Sequence, residues 1–475
     1  MSRLLDELSR RSILILGLGV EGRNTLRFLR TRFPGKFLAV ADRHPFGTLG
    51  IESQTLIQND PYLRVHLGTD YLSYIGSYDV VFRTPGIPLR IASNIQRNQR
   101  AQIWSETSLF FALRKNPVVG VTGTKGKSTT STLIHTMLTE HGIDSHLVGN
   151  IGPELGGSSP LASLELVKHG SIFVYELSSF QLEDMHESPD IAVLLNIVPE
   201  HLDHHLTFDQ YVGAKEKITK YQRSSNFLVY NHGDKIVRRV ARCTSAKRIP
   251  ISLDRRQSSR CFAFRDRIVY GIGAEQETVA TTADVQQVLP GKFNHINVMA
   301  AISVAKLLDV STDNIRSGLR SFVSLKDRFE FVGEYKGISF YNAAIATVPQ
   351  ATIAHIQALS PDLDTLIVGG QNRGVDYTSL ARSIIRARIH NLILFPETGS
   401  IIWRSVLIVS GTTKAVTNHF FVDDMEQAVR IAFEKTRMGY ICLHSPAAPS
   451  RGGTFENYLE RGNLFRQLLY RFGSC

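Results

Sequence analysis

Cysteine is scarce in this chain of 475 residues: Cys243, Cys261, Cys442 and Cys475 are all there is. Their spacing pairs none of them. That argues against a disulfide framework and against a zinc ribbon, and fits a reducing cytoplasm. Long apolar runs are missing as well. No stretch approaches the ~20 apolar residues of a membrane span. Ile13-Leu-Ile-Leu16, behind Arg10 and Arg11, is too short for a signal peptide, and no small-residue cleavage site follows it. Acid is in deficit: 54 Lys and Arg stand against 43 Asp and Glu, a formal net charge of +11. Residues 235–260 hold Lys235, Arg238, Arg239, Arg242, Lys247, Arg248, Arg255, Arg256 and Arg260 against the single acid Asp254. Aromatic interleaving for base stacking is absent there, with Phe262 and Phe264 just outside. A solvated basic face is therefore expected, and no nucleic-acid partner. No repeat at solenoid periods is visible.

What remains is an ordinary globular composition, 43% hydrophobic and 20% charged, long enough for about three domains of ~150 residues. Three segments are expected, 1–115, 116–325 and 326–475, each alternating strands with helices and so each a mainly parallel α/β unit.

The middle segment opens on Pro117-Val-Val-Gly-Val-Thr-Gly-Thr-Lys-Gly-Lys-Ser-Thr-Thr130. The β-branched run reads as a buried strand, and Ser131 to Leu138 has helical spacing. Strand, glycine turn and helix N-terminus make an anion cradle, with Lys127 reaching outer phosphates and Ser128 placed for Mg²⁺. Phosphate loops usually carry Gly where this one has Val121. Ile172 to Tyr175 is a strand delivering Glu176, and Ile191 to Leu195 a strand delivering Asn196 and then Pro199-Glu-His-Leu-Asp-His-His205. Both ends can face the loop, which puts Glu176 and His201 where phosphate-bridging Mg²⁺ needs ligands. Asp203-His204-His205 also matches Asp-His-His phosphoesterases, but the further strand-end ligands are not found, and a zinc site would ask for spaced histidines. At least two of the three histidines are expected to be structural or solvated. Lys215, on a helix from Val212, reads from sequence alone as a surface lysine. Asn294 and Asn297 share a helix face, as a cap with a surface amide or as adenine and phosphate contacts. Ala280 to Val285 has a strand-like pattern.

The first segment carries Gly17-Leu-Gly-Val-Glu-Gly22 between a strand and a helix, and a second strand ends in Asp42. That is the dinucleotide fingerprint in context, for NAD or for another nucleotide diphosphate. A strand over Tyr78–Phe82 runs into Arg83-Thr-Pro-Gly-Ile-Pro88, a turn expected on the ligand side of an open sheet. The last segment begins with a hairpin, Phe331–Tyr335 and Gly337–Tyr341, and closes on His444-Ser-Pro-Ala-Ala-Pro-Ser450 and a helix with Glu460-Arg-Gly462.

Together these motifs resemble the Mur ligase family, the ATP-dependent amide-forming enzymes of peptidoglycan precursor synthesis, over the full length. The resemblance rests on Thr122–Thr129, Glu176-Leu-Ser-Ser-Phe-Gln-Leu182, Asn196–Asp203, Tyr211-Val-Gly-Ala-Lys215, Gly291–Asn297 and Asp327-Arg328. It implies a Rossmann-like substrate domain, a central P-loop ATPase domain with a parallel sheet and a Rossmann-like C-terminal domain. Within the family, Gly17–Gly22, Thr84–Leu89, Ile367–Gly370 and Ser445–Ser450 are most similar to members that join D-glutamate to UDP-N-acetylmuramoyl-L-alanine through an acyl phosphate. The implied cofactors are ATP and two Mg²⁺ ions; the implied state is a cytoplasmic monomer. Gly123, Thr124, Lys125, Gly126, Lys127, Ser128, Thr129, Asn294, Asn297 and Arg328 would bind ATP. Gly17, Gly19, Asp42, Thr84, Gly86 and Asn150 would hold the UDP substrate, and Thr347, Arg373, Ser450 and Tyr458 the amino acid. Lys127, Lys215, His201 and Glu176 would be catalytic, with metal at Ser128, Glu176, His201 and Lys215 as its carbamate.

The departures from that pattern cluster late. Ala343 and Ala344 stand where the family has Asp and Ser. Ile345 replaces a polar residue, Arg373 a lysine and Phe293 a histidine. Arg451-Gly-Gly453 replaces an acid. These bear on the choice of amino acid. A sibling ligase using L-glutamate or another amino acid, and a non-catalytic nucleotide-binding relative, are the rival readings.

Overall fold

The computed structural model describes residues 2–96, 101–254, 259–411, 417–450 and 455–474. Arg255 and Arg256 of the basic run, and Arg451-Gly-Gly453, lie outside the described residues. The chain is mixed α/β and groups into two compact units: 1–282 with 296–321, and 283–295 with 322–475.

The first unit holds two sheets. One contains β1 (Ile13–Leu16), β2 (Leu38–Asp42), β3 (Leu63–Leu67), β4 (Val80–Arg83) and β5 (Gln102–Trp104), in the order β3-β2-β1-β4-β5 with every pair parallel. β1, β2 and β4 are buried throughout, as continuous apolar runs in a two-sided sheet should be. β3, Leu-Arg-Val-His-Leu, is partly exposed, and its apolar–polar alternation is that of a strand at the edge of a sheet. Chain reversal at β1 leaves the C-terminal ends of β1 and β4 side by side.

The second sheet contains β6 (Val118–Thr122), β7 (Ser145–Gly149), β8 (Ile172–Glu176), β9 (Ile191–Leu194), β10 (Phe227–Asn231), β11 (Lys247–Ser252), β12 (Cys261–Phe264), β13 (Arg267–Tyr270) and β14 (Glu277–Thr281). The order is β14-β13-β12-β11-β10-β9-β6-β8-β7. The sheet is mainly parallel; β12–β13 and β13–β14, at one end, pair antiparallel, since short connections between them permit only hairpins. Ala280–Val285 is also not one strand. β14 ends at Thr281 and a helix, Thr282–Val288, follows. β6 lies between β8 and β9, so the turns after all three strands share one edge. Phe110, on the helix Glu106–Leu113, packs edge-on against Phe173 and Tyr175 of β8 and helps join the cores of the two sheets.

The second unit has six strands: β15 (Glu330–Tyr335), β16 (Ile338–Asn342), β17 (Leu363–Gly370), β18 (Asn391–Glu397), β19 (Asn418–Phe421) and β20 (Ile441–His444), ordered β15-β16-β20-β17-β18-β19. The expected hairpin is β15–β16, the one antiparallel pair among the described residues of this sheet. Apolar clusters cover both faces.

Candidate active site

The unusual Val121 has a structural cause. It is a buried residue of β6, in register with Glu176 of β8 and Val193 of β9. The chain turns only after it, at Gly123 and at Gly126. Gly126 has φ +90°, where L side chains are strained, and a Cβ there would stand 2.3 Å from Asn297 Oδ1. That clash places Asn297 against the loop. The helix Lys127–Glu140 starts next, so its unbonded N–H groups and positive dipole end point into the turn.

The loop is held by neighbours. Lys125 N donates to Asn196 Oδ1 at 2.9 Å, and Lys125 Nζ to Glu200 at 2.6 Å. Thr124 N donates to Asn196 O. The Thr124 hydroxyl lies 2.9 Å from the Tyr211 hydroxyl. Lys127 Nζ donates to Gly123 O and Thr124 O, folded back over the turn. Ser128 is buried, and Thr129 is the third residue of the helix.

Lys215 is not a surface residue. Its side chain is 1% exposed, with Nζ donating to Gly123 O at 2.9 Å and to Thr122 Oγ1 at 3.3 Å, 4.9 Å from the centre of the Tyr211 ring. Burial, then the charge of Lys127, pushes its pKa well below the ordinary value, which favours the unprotonated amine. Glu176, at the end of β8, is 1% exposed. Its Oε1 accepts from Asn150 Nδ2 at 3.1 Å, while buried Oε2 has no hydrogen-bond partner among the described residues. An orphaned carboxylate oxygen is costly unless a cation meets it. This carboxylate oxygen, like the buried Ser128 hydroxyl, is a hard oxygen donor of the kind that Mg²⁺ takes. His201 reaches the same edge on a left-handed residue, φ 56°. Its ring meets Phe180 edge-on at 4.8 Å. Partial desolvation outweighs the Glu200 carboxylate, and with Lys127 and Lys125 nearby its pKa is lowered. This favours the neutral imidazole, and 47% of the side chain meets solvent. His204 and His205 are buried and bonded to Glu183 and Ser179.

In the first sheet, Gly17, Asp42 and Thr84 come together. Gly17 has φ +93°, and a Cβ on it would strike the Thr84 hydroxyl at 2.2 Å. Thr84 Oγ1 donates to Leu16 O, and Leu18 N donates to Asp42 Oδ2. Gly19 precedes the helix Val20–Arg32, and Gly86 turns the chain after Thr84. Asn150 is not part of this group: it sits at the end of β7, beside Glu176.

In the second unit, Arg328 is half-buried, Thr347 and Tyr458 are half-buried, Ser450 is buried and Arg373 is exposed. Asn294 is buried, donating Nδ2 to Pro290 O at 2.8 Å. Sequence reading passes over what organises this unit. Asp327, fully buried, accepts from Asn342 Nδ2 at 2.8 Å and from Arg466 at 2.8 Å. Asn342 Oδ1 faces His444 Nδ1 at 3.0 Å. Arg461 donates to Ala344 O at 2.7 Å and to Ala448 O at 3.3 Å, tying the turn after β16 to the turn after β20. Burial lowers its pKa to about 10. The same role as support falls to Tyr211 and Glu200 in the first unit. The four-residue spacing of Tyr211 and Lys215, one helix face, is the signal that finds Tyr211.

A family model described as the Mur ligase middle domain matches residues 121–305. The UDP-N-acetylmuramoylalanine–D-glutamate ligase of Acetivibrio thermocellus is 33% identical over 412 residues, covering 86% of each chain. That of Caldanaerobacter subterraneus subsp. tengcongensis is 32% identical over 465 residues, covering 97% of this chain and 98% of the relative. Among solved structures, MurF ligase from Thermotoga maritima in complex with ADP aligns over 99% of this chain and all of that one, with a TM-score of 0.59 at 17% identity. The UDP-N-acetylmuramate-alanine ligase MurC of the same organism aligns over 98% of this chain with a TM-score of 0.58 at 16% identity. With full-length relatives above 30% identity and a shared fold, this chain belongs to the Mur ligase family.

Proposed function

We propose that the chain joins D-glutamate to UDP-N-acetylmuramoyl-L-alanine at the expense of ATP, in peptidoglycan precursor synthesis. The observation that carries this is the buried Lys215 bonded to the phosphate loop and the orphaned Glu176 carboxylate, in a chain whose full-length relatives bear that ligase name. Three functional domains divide at 115 and 325. The order β3-β2-β1-β4-β5 supports a Rossmann-like first domain holding the UDP group across the reversal at β1. The strand–turn–helix at 118–140 supports a P-loop second domain.

The geometry and the family resemblance together support the residue roles that follow. Gly123–Thr129 cradle the phosphates through backbone N–H groups and the helix dipole. Lys127 offsets charge on the transferring phosphoryl group, whose transition state needs positioning and neutralisation more than covalent help. Asn297, Asn294 and Arg328 bind the nucleotide. The substrate carboxylate attacks the γ-phosphorus and ADP leaves. The glutamate amine then attacks the acyl carbon, and the tetrahedral intermediate collapses with loss of phosphate. Glu176, Ser128, His201 and the Lys215 carbamate would hold two Mg²⁺ ions, which supply charge neutralisation between phosphate oxygens when bound. Only an unprotonated amine adds to CO₂, losing its proton as the N–C bond forms, and the burial of Lys215 supplies that state. Thr347, Arg373, Ser450 and Tyr458 receive the amino acid, and the protein works as a cytoplasmic monomer.

Phosphate release measured with UDP-N-acetylmuramoyl-L-alanine and a panel of D- and L-amino acids tests the reading. D-glutamate should give the highest turnover. A preference for an L-amino acid would point to a sibling ligase, and silence with all of them would sink the ligase assignment. Lys215→Ala should lower kcat by about 10²–10³-fold, the scale for loss of one charge-stabilising group. Wild-type activity should fall when bicarbonate is stripped and return when it is restored. Unchanged turnover in Lys215→Ala would remove the carbamate from the mechanism.

A further inference from the structure

Glu183, His204 and His205 form the one group of three metal-ligating side chains among the described residues whose donor atoms all lie within 4.8 Å of one another. Glu183 Oε1 is 3.1 Å from His204 Nε2 and 3.3 Å from His205 Nδ1. Donors around a tetrahedral ion with bonds of about 2.0–2.1 Å sit roughly 3.3 Å apart. Two of the three donor separations therefore already match those around such an ion. A carboxylate with two imidazoles is also the donor set that suits Zn²⁺ and its neighbours rather than Mg²⁺.

The surroundings match such a site. A ligating histidine usually donates its far ring N–H to a second partner that fixes its tautomer. His205 turns Nε2 to Ser179 Oγ at 3.0 Å, leaving Nδ1 on the Glu183 side. The second Glu183 oxygen faces Arg83 at 3.6 Å, and that guanidinium is itself neutralised by Asp184 at 2.8 Å. Access exists: the three residues line a cavity of 340 Å³ together with Arg90, Gln210 and Lys217, which leaves room for a water or substrate oxygen in the fourth position.

We propose that Glu183, His204 and His205 bind a borderline-soft divalent cation of the zinc class, at a site separate from the phosphate loop. Glu183 lies seven residues beyond Glu176, across the short helix Ser179–Leu182. His204 and His205 close the turn that starts at His201. A metal there cross-links the two segments that follow β8 and β9, and so fixes the positions of Glu176 and His201 relative to each other.

The test uses full-length protein stripped with EDTA, kept in excess Mg²⁺ and titrated with Co²⁺. One equivalent should bind with the intense visible d–d bands of a four-coordinate ion, displaced by Zn²⁺. Ser179→Ala should weaken binding by about 10–100-fold, the scale for an outer-shell partner. His204→Asn with His205→Asn should abolish the bands, and Glu176→Gln should leave them. Imidazole ¹⁵N spectra of wild type must show both histidines shifted by Zn²⁺, a readout that needs no variant. No bands in wild type, bands that survive the double substitution or vanish in Glu176→Gln, or histidine resonances unmoved by Zn²⁺, would each overturn the site.

Discussion

At the scale of single residues, Gly126 shows how little tolerance the phosphate loop has. Its φ of +90° costs an L side chain about 1–2 kcal/mol. The larger obstacle is Asn297 Oδ1, 2.3 Å from where a Cβ would stand. Gly126→Ala must move either the loop or the amide. Because Gly126 sits at the turn surface and not in an apolar core, the fold should survive. Stability is expected to drop by about 1–3 kcal/mol, while ATP affinity drops at least tenfold. Calorimetric titration with the non-hydrolysable analogue and a thermal melt together check this. Equal affinity in the variant would show that Asn297 need not pack on the loop. Lys215 makes the complementary point. Its residue type suggests solvent, yet it is buried on the edge of β6, because Tyr211 and the Gly123 carbonyl receive it.

At the scale of elements, two helix starts in the first unit face each other with acids. Glu21 lies in the first turn of the helix Val20–Arg32, and Glu106 in that of Glu106–Leu113. Burial raises the Glu21 pKa from 4.5 to about 7, against a hydrogen bond from Gln181, and burial with the Glu21 charge raises Glu106 well above its ordinary value. Helix dipoles favour the ionised forms by only about 0.3–1 kcal/mol each, less than the desolvation implied by shifts of this size. The pair titrates together. Between pH 4.5 and about 7 the folded state holds more protons than the unfolded one, so stability falls as pH rises through that window. Glu21→Gln removes the penalty. It should be more stable than wild type at pH 8 by about 1–3 kcal/mol and should match it near pH 4.5. Urea melts at both pH values decide; a parallel shift at both would exclude linkage.

This pair illustrates what sequence can convey. Glu21 is visible as a letter inside the glycine fingerprint, and Glu106 as the end of Trp104-Ser-Glu106, but nothing local says that they meet. The phosphate loop is legible because its parts are consecutive: buried strand, turn, helix start. Glu176 and His201 are legible because each follows an apolar run that must be a strand. The network of Asp327, Asn342, His444, Arg461 and Arg466 is not, since its members lie up to 139 residues apart; Asp327, His444 and Arg461 stand in motifs, but nothing local says that they meet. β3 differs: the apolar–polar alternation from Leu63 to Leu67 is a local strand signal, and only its partial exposure sets it apart from the buried strands. The departures at Ala343 and Ala344 are also clearer in space. Both are fully buried, and Ala344 offers its carbonyl to Arg461, so the turn after β16 is held by its backbone and not by the side chains the family pattern would supply.

At the scale of the whole molecule, the excess of positive charge meets a reaction in which each proposed substrate is an anion. Lys235, Arg239, Arg242, Lys247 and Arg248 are exposed, consistent with a solvated basic face, and Lys247 lies over the Phe227 ring at 5.3 Å. A net charge of +11 raises the local concentration of ATP and UDP-linked substrate and speeds encounter. Such steering fades as the Debye length shrinks from about 30 Å at 0.01 M salt to about 8 Å at 0.15 M. Charges that contact the reacting phosphates are desolvated and far less screened. The two kinds of charge therefore separate in kinetics. Raising ionic strength across that range should lower kcat/KM for both nucleotide substrates several-fold and leave kcat nearly unchanged. Replacing Arg242, Lys247 and Arg248 by Gln together should flatten the salt dependence without touching kcat, because all three are exposed. A salt-independent kcat/KM in wild type would assign the basic face to solubility alone.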